Sequence, residues 1–155
     1  MSIIKIIAET GTFDLGAGAI LDRHVAASTK LDADKLQHLY KPRTNFDLAI
    51  GGTPASREEI VFVASTAGTI RGFHCLLNAD GSSTDIDFDL KVNGVSVLSA
   101  AVNITHASGD GVVQDGTISS ATIAAGDIIS IEMAVTSATD AEGPYAWAEI
   151  EENAA

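Results

Sequence analysis

The stretch STDIDFDLKVNGVSVLSAAV (83–102) sets Asp85, Asp87 and Asp89 at every second position, beside Ile86, Phe88 and Leu90. Three carboxylates so close could form a metal site, a catalytic set or the solvated side of a strand. Same-face neighbours on a strand stand about 6.5–7 Å apart. Calcium–oxygen bonds are about 2.3–2.6 Å, so one ion cannot easily draw ligands from all three. NADGSSTD (78–85) could add loop oxygens, but it lacks the EF-hand pattern. Asn93-Gly94 weighs on the other side. Both residues tolerate the positive φ of a type I′ hairpin turn, which predicts antiparallel pairing of 85–92 with 95–102. Ile86, Phe88, Leu90 and Val92 then share one face, and Asp85, Asp87, Asp89 and Lys91 share the other. The aspartates read as the wet side of a half-buried sheet.

Other reactive residue types are scattered. His24, His38, His74 and His106 show no HxH or HExxH spacing. His74 and Cys75 are adjacent in a strand-like segment, so their side chains point to opposite faces and cannot form a nucleophile–base pair. No GxSxG elbow, P-loop or GxGxxG occurs. Asp80 and Asp110 lie in glycine-containing loops, where aspartates commonly make turns and where calcium is the sharper alternative. Glu149, Glu151 and Glu152 could suggest paired carboxylates for glycoside hydrolysis; as residues of a terminal edge strand they discourage edge pairing instead. No catalytic residue, metal ligand or cofactor is expected. Tyr145 and Trp147 share one strand face. Exposed, they would stack on a sugar ring; covered, they would close the end of a sandwich or a subunit interface.

The elements that must position these residues are mainly strands. From Thr44 onward the apolar period is two. TNFDLAIGG (44–52) alternates Phe46, Leu48 and Ile50. EEIVFVAS, GTIRGFHCLLN, DIDFDLKV, VSVLSAAVNIT, GVVQDGTI, DIISIEMAV and YAWAEIEE follow, separated by Gly- and Asn-containing turns. That spacing predicts an all-β, antiparallel sandwich over 44–155. Residues 1–43 read as an N-terminal arm with one short helix. Leu31, Lys35, Leu36 and Leu39 are spaced at three and four, Asp32 or Asp34 could cap them, and Pro42 ends the run.

Bulk properties narrow the partners. The 155 residues fit one domain plus an arm, and 46% are apolar, enough for a sizeable core. The one cysteine allows no intrachain disulfide. No apolar run approaches a membrane span, and the N-terminus lacks the pattern of a signal peptide, so synthesis in a cytoplasm without export is expected. The net charge is −12. Residues 1–71 balance eight bases against eight acids, whereas 72–155 carry thirteen acids and only Lys91. Such a chain is a poor ligand for nucleic acid or an anionic membrane. A balanced half that touches a partner and an acidic half that faces solvent would explain the split; the alternative is acidity that only keeps the protein soluble.

DLKVNGVSVL followed by IAAGDIISI, with VFVASTAGTIRGFHCLLN and the upstream DADKLQHLYKPRTNF, resembles the β-sandwich, often a jelly roll, of tailed-phage virion proteins. Capsid decoration (cement) proteins and head fibres include such domains. The resemblance covers about residues 32–152 and rests on strand and turn patterns. It implies a structural protein on the capsid surface, commonly a homotrimer, that bridges major capsid protein subunits. It implies docking through the N-terminal region, with Lys30, Lys35, Leu36, Leu39, Tyr40, Lys41 and Arg43 as candidates, and an acidic sandwich projecting outward. The alternative is a glycan- or receptor-binding module of the same fold, carried by Tyr145 and Trp147.

Overall fold

The computed structural model describes residues 38–153. They form eleven strands: β1 (His38–Tyr40), β2 (Arg43–Thr44), β3 (Arg57–Val63), β4 (Gly68–Ala79), β5 (Ser83–Val92), β6 (Val95–Ser96), β7 (Val102–Thr105), β8 (Gln114–Gly116), β9 (Thr122–Ile123), β10 (Ile128–Thr139) and β11 (Glu142–Glu152). All pairings are antiparallel. One sheet runs β1-β11-β4-β8, with β2 also on β11 and β9 also on β4. The other runs β3-β10-β5-β6, with β7 also on β5. The two sheets contribute to one core, a sandwich-like arrangement. Phe73, Cys75, Leu77 and Ile150 enter it from the first sheet, and Ile86, Phe88, Ile131 and Met133 from the second.

The period-two pattern explains the long strands. In β5 every second side chain, Thr84 through Leu90, is buried, and Asp85, Asp87 and Asp89 face outward. Asn103 on β7 donates to both Asp85 (2.7 Å) and Asp87 (2.8 Å), and Ser96 donates to Asp89 (2.7 Å). These carboxylates are acceptors on a sheet face, as the hairpin reading expects. Like charges would repel across the strands here, because Asp89 stands opposite Glu132. Lys91, next on the same face, answers this with ion pairs to Glu132 (2.8 Å) and Glu58 (3.5 Å). The hydrogen bond to Glu132 holds the Lys91 ammonium pKa above its ordinary value.

The turn at Asn93-Gly94 has the positive φ values that type I′ requires, 51° and 78°. The return strand is shorter than the sequence pattern suggests. β6 pairs for two residues, the chain then leaves β5, and β7 rejoins it at Val102 opposite Phe88. Val97 and Leu98 are adjacent and both buried. A regular strand cannot turn consecutive side chains to one face, so the ladder breaks there.

Three further expectations are corrected. The helical spacing through Leu39 does not yield a helix at its described end. Residues 38–40 are a strand, with His38, Leu39 and Tyr40 opposite Glu152, Glu151 and Ile150. Pairing with β11, and packing of Tyr40 on Phe62 at 5.1 Å, override a weak local preference. Pro42 therefore interrupts an edge, where its missing N–H is tolerated; its carbonyl accepts the Ala148 N–H at 3.0 Å. The rest of the expected helix and the arm over 1–37 lie outside the described residues.

The second correction concerns 44–52. Beyond Thr44 this segment is a turn, not a strand. Phe46 and Asp47 take left-handed backbone, with φ of 54° and 53°. Thr44 Oγ1 accepts the Phe46 N–H (2.8 Å), and Asn45 Nδ2 donates to the Leu48 carbonyl (2.7 Å). Such local side-chain bonds compete with a strand ladder. Phe46 is still fully buried, 6.0 Å from the Phe88 ring, while Ile50 is 75% exposed. The third correction is that β11 is an inner strand, flanked by β4 on one side and β1 and β2 on the other. Its glutamates do not guard an edge. Glu152 turns inward and is 3% exposed.

Candidate functional site

The outer face of β11 carries the aromatic pair. Pro144, Ala146, Ala148 and Ile150 are buried, so Tyr145, Trp147, Glu149 and Glu151 point away from the core and are half-buried. Cross-strand register extends this face into a row. Arg43 stands opposite Trp147, Trp147 opposite His74, and His74 opposite Asp115. The row is physically connected. The His74 ring stacks on Trp147 with centroids 4.9 Å apart and planes at 24°. His74 Nδ1 lies 2.6 Å from Asp115 Oδ1. Tyr145 leans on Trp147 at 5.7 Å and 46°. Aromatic pairs at such offsets are worth about 0.5–1.5 kcal/mol beyond their buried area. Asp115, His74 and Trp147 therefore act in series to hold the Tyr145 ring.

Beside Tyr145 opens a cleft of about 690 Å³, within the range of small-ligand sites. Its walls include Arg43, Asp47, Leu76, Asn78, Pro144 and Tyr145. Trp147 is not part of its lining. The 45–52 turn forms the far wall and is fixed by its own hydrogen bonds and by Arg57. That guanidinium bonds Asp47 at 2.6 Å and Glu59 at 2.8 Å. Thr44 Oγ1 donates a short hydrogen bond to Glu59. Asp47 and Glu59 thus enter the cleft already neutralised in part.

Gly143 locks this wall to β11. Its φ is 61°, and its N–H donates to the Gly52 carbonyl at 2.9 Å. A Cβ there would sit 2.3 Å from the Ile50 carbonyl oxygen and 2.8 Å from Asn78 Cβ. Gly143→Ala is expected to cost about 1–2 kcal/mol from the left-handed backbone alone. The clash adds to this and pushes the 49–52 segment outward. Urea denaturation reads the loss of stability, and amide chemical shifts of Ile50 and Gly52 read the displaced wall.

Of the expected docking residues, Leu39, Tyr40, Lys41 and Arg43 lie on or between β1 and β2 at one edge of the sheet, and Leu39 is 56% exposed. Lys41 bonds Glu149 at 2.6 Å, and this hydrogen bond holds the Glu149 carboxyl below its ordinary pKa. Arg71 does the same for Glu151 at 2.7 Å. Lys30, Lys35 and Leu36 lie outside the described residues.

Cys75 and His74 face opposite ways. Burial pushes the Cys75 thiol pKa up to about 12, with Asp115 adding to the effect, so it is a poor nucleophile at neutral pH. Asp80 and Asp110 knit two loops together. Asp110 accepts the Asp80 N–H, and Asp80 accepts the Gly109 N–H, each at 2.8 Å. Sequence spacing brought out Tyr145 and Trp147 but not His74, Asp115 or the cleft. Those depend on strand order, and Gly143 was the one local signal for the close approach.

No family model matches the chain, and no curated protein matches it. Among solved structures, the C-terminal domain of EclA, described as a sugar-binding protein, is similar over 89% of this chain and 87% of that one. Its TM-score is 0.32 and its identity 11%, too slight a likeness to bear on fold or ligand.

Proposed function

We propose that the chain is a structural virion protein of a tailed phage. In this reading it binds the outside of the capsid as a homotrimer and bridges major capsid protein subunits. The strand-and-turn resemblance supports it, and the observation that carries it is the sheet edge made by β1 and β2. That edge gathers Leu39, Tyr40, Lys41 and Arg43 at the near end of the charge-balanced N-terminal region. The acidic face of β5 lies on the other sheet, suited to solvent. Edge strand β3 carries exposed Ile60 and Val63 beside Ile128, apolar surface suited to contact between copies. Several weak contacts joined in a trimer bind a shell through avidity. The jelly-roll wiring of decoration proteins belongs to the same proposal.

Co-sedimentation with capsids that lack this protein tests it. The wild type is expected to pellet with capsids. A Leu39→Asp, Arg43→Glu variant is expected to lose at least about tenfold in affinity while staying folded. Removing residues 1–30 is expected to abolish binding and leave the sandwich intact. Unchanged binding by both variants would reject this docking edge.

A second reading is favoured by one observation: Tyr145 forms a wall of the cleft while a chain of neighbours holds its ring in place. Under it, the outer face of β11 recognises a glycan.

A further inference from the structure

We propose that the cleft beside Tyr145 takes a neutral pyranose, seated with its apolar ring face on the Tyr145 ring. The proposal rests on the glycan-binding reading and adds to it the sugar class and the role of each residue.

The lining chemistry carries the assignment. The lining mixes apolar groups, among them Tyr145, Leu76 and Pro144, with polar ones, Asp47, Asn78 and Arg43. A pyranose combines the same two chemistries. Its axial C–H bonds make an apolar face that meets the electron-rich face of an aromatic ring. Its hydroxyls both donate and accept. The cleft offers both partners, because Asp47 accepts, Arg43 donates, and the Asn78 amide does either.

Charge selects the class. The lining holds one cation, Arg43, against two carboxylates, Asp47 and Glu59, in a chain of net charge −12. Arg57 offsets those carboxylates from outside the lining but leaves no excess of positive charge in it. A sialic acid, uronic acid or phosphate would meet the field of an acidic protein with a single arginine to offset it. A neutral ring meets no such cost.

Tyr145 is the contact residue. Trp147, which lies behind it, is a positioning residue: it holds the Tyr145 ring and is itself held by His74 and Asp115. A ring fixed before binding loses little freedom when the sugar arrives.

The test is a 15N–1H correlation titration of the full chain. The ligands are the methyl pyranosides of glucose, galactose and mannose, N-acetylglucosamine, and sialyllactose as the acidic probe. At least one neutral sugar is expected to give saturable shifts at the amides of Asp47, Ile50, Asn78 and Tyr145. Tyr145→Ala is expected to weaken that binding about tenfold, and Asn78→Ala, which leaves the core untouched, by several-fold. Tyr145→Phe keeps the ring and is expected to bind nearly as the wild type. Trp147→Phe is expected to recover most of the affinity that Trp147→Ala loses. Cleft shifts with sialyllactose alone would overturn the neutral assignment and keep the glycan reading. No saturable shift with any of the sugars, or shifts only outside the cleft, would overturn both.

Discussion

Phe88→Ala is expected to cost about 3–5 kcal/mol, the range for removing a buried aromatic ring from a packed core. Phe88 is fully buried on β5, between Met133 of β10 and Val102 of β7 in register. It also meets Phe46, which the 44–52 turn drives inward at a left-handed φ. The cavity would therefore open where the two sheets meet and where a strained turn is anchored. Domains of this size hold only about 5–15 kcal/mol in total, so much of the margin would go. Urea denaturation checks it, through a lower midpoint with an unchanged slope. A loss under about 1 kcal/mol would mean that Phe88 does not join the two sheets.

Glu152→Ala is expected to lose about 2 kcal/mol, since it takes a charged acceptor away from three partly buried hydrogen bonds. Glu152 Oε1 accepts the N–H groups of Ser65 (2.5 Å) and Thr66 (3.1 Å), and Oε2 accepts the Ser65 hydroxyl (2.8 Å). Burial alone would raise its pKa, but these bonds outweigh burial and hold it below the ordinary 4.5. The folded state therefore binds this proton less readily than the unfolded chain does. Its stabilisation is fully present above about pH 4.5 and is lost as the pH falls toward the depressed native value. Glu58, Glu149 and Glu151 are shifted the same way and add to the acid limb. Glu152→Gln is expected to flatten part of that limb while costing less at neutral pH than alanine does. Thermal midpoints between pH 3 and pH 7 would show it; an unchanged acid limb in the glutamine variant would contradict the role.

What could be read from the sequence follows the range of the signal. Asn93-Gly94 and the alternation around Asp85, Asp87 and Asp89 are local, and the structure keeps the turn, the strand and the outward carboxylates. Other strands were legible in position but not in length, because alternation does not encode strand order. Val97 and Leu98 form an apolar run whether the chain stays on the ladder or leaves it. Leu36 and Leu39 have helical spacing, yet at 38–40 the partner that decides is β11, more than a hundred residues away. Glu152 looked like a terminal charge because nothing nearby in sequence reveals that Ser65 and Thr66 await an acceptor. The site follows the same rule. Tyr145 and Trp147 alternate on one strand and were visible. His74 and Asp115 join them only through the β4-β8 and β4-β11 registers, and the cleft exists only because Gly143 lets a distant turn close on β11.

Adhesion of this sandwich to a phage shell is the role proposed above. Cryo-electron microscopy of intact particles that carry the chain tests it most directly. Under the proposed role, sandwich density is expected outside the shell at local symmetry axes, three copies together, with the β1–β2 edge toward the major capsid protein and the acidic β5 face outward. Particles without the chain, or density for it confined to the interior, would contradict it.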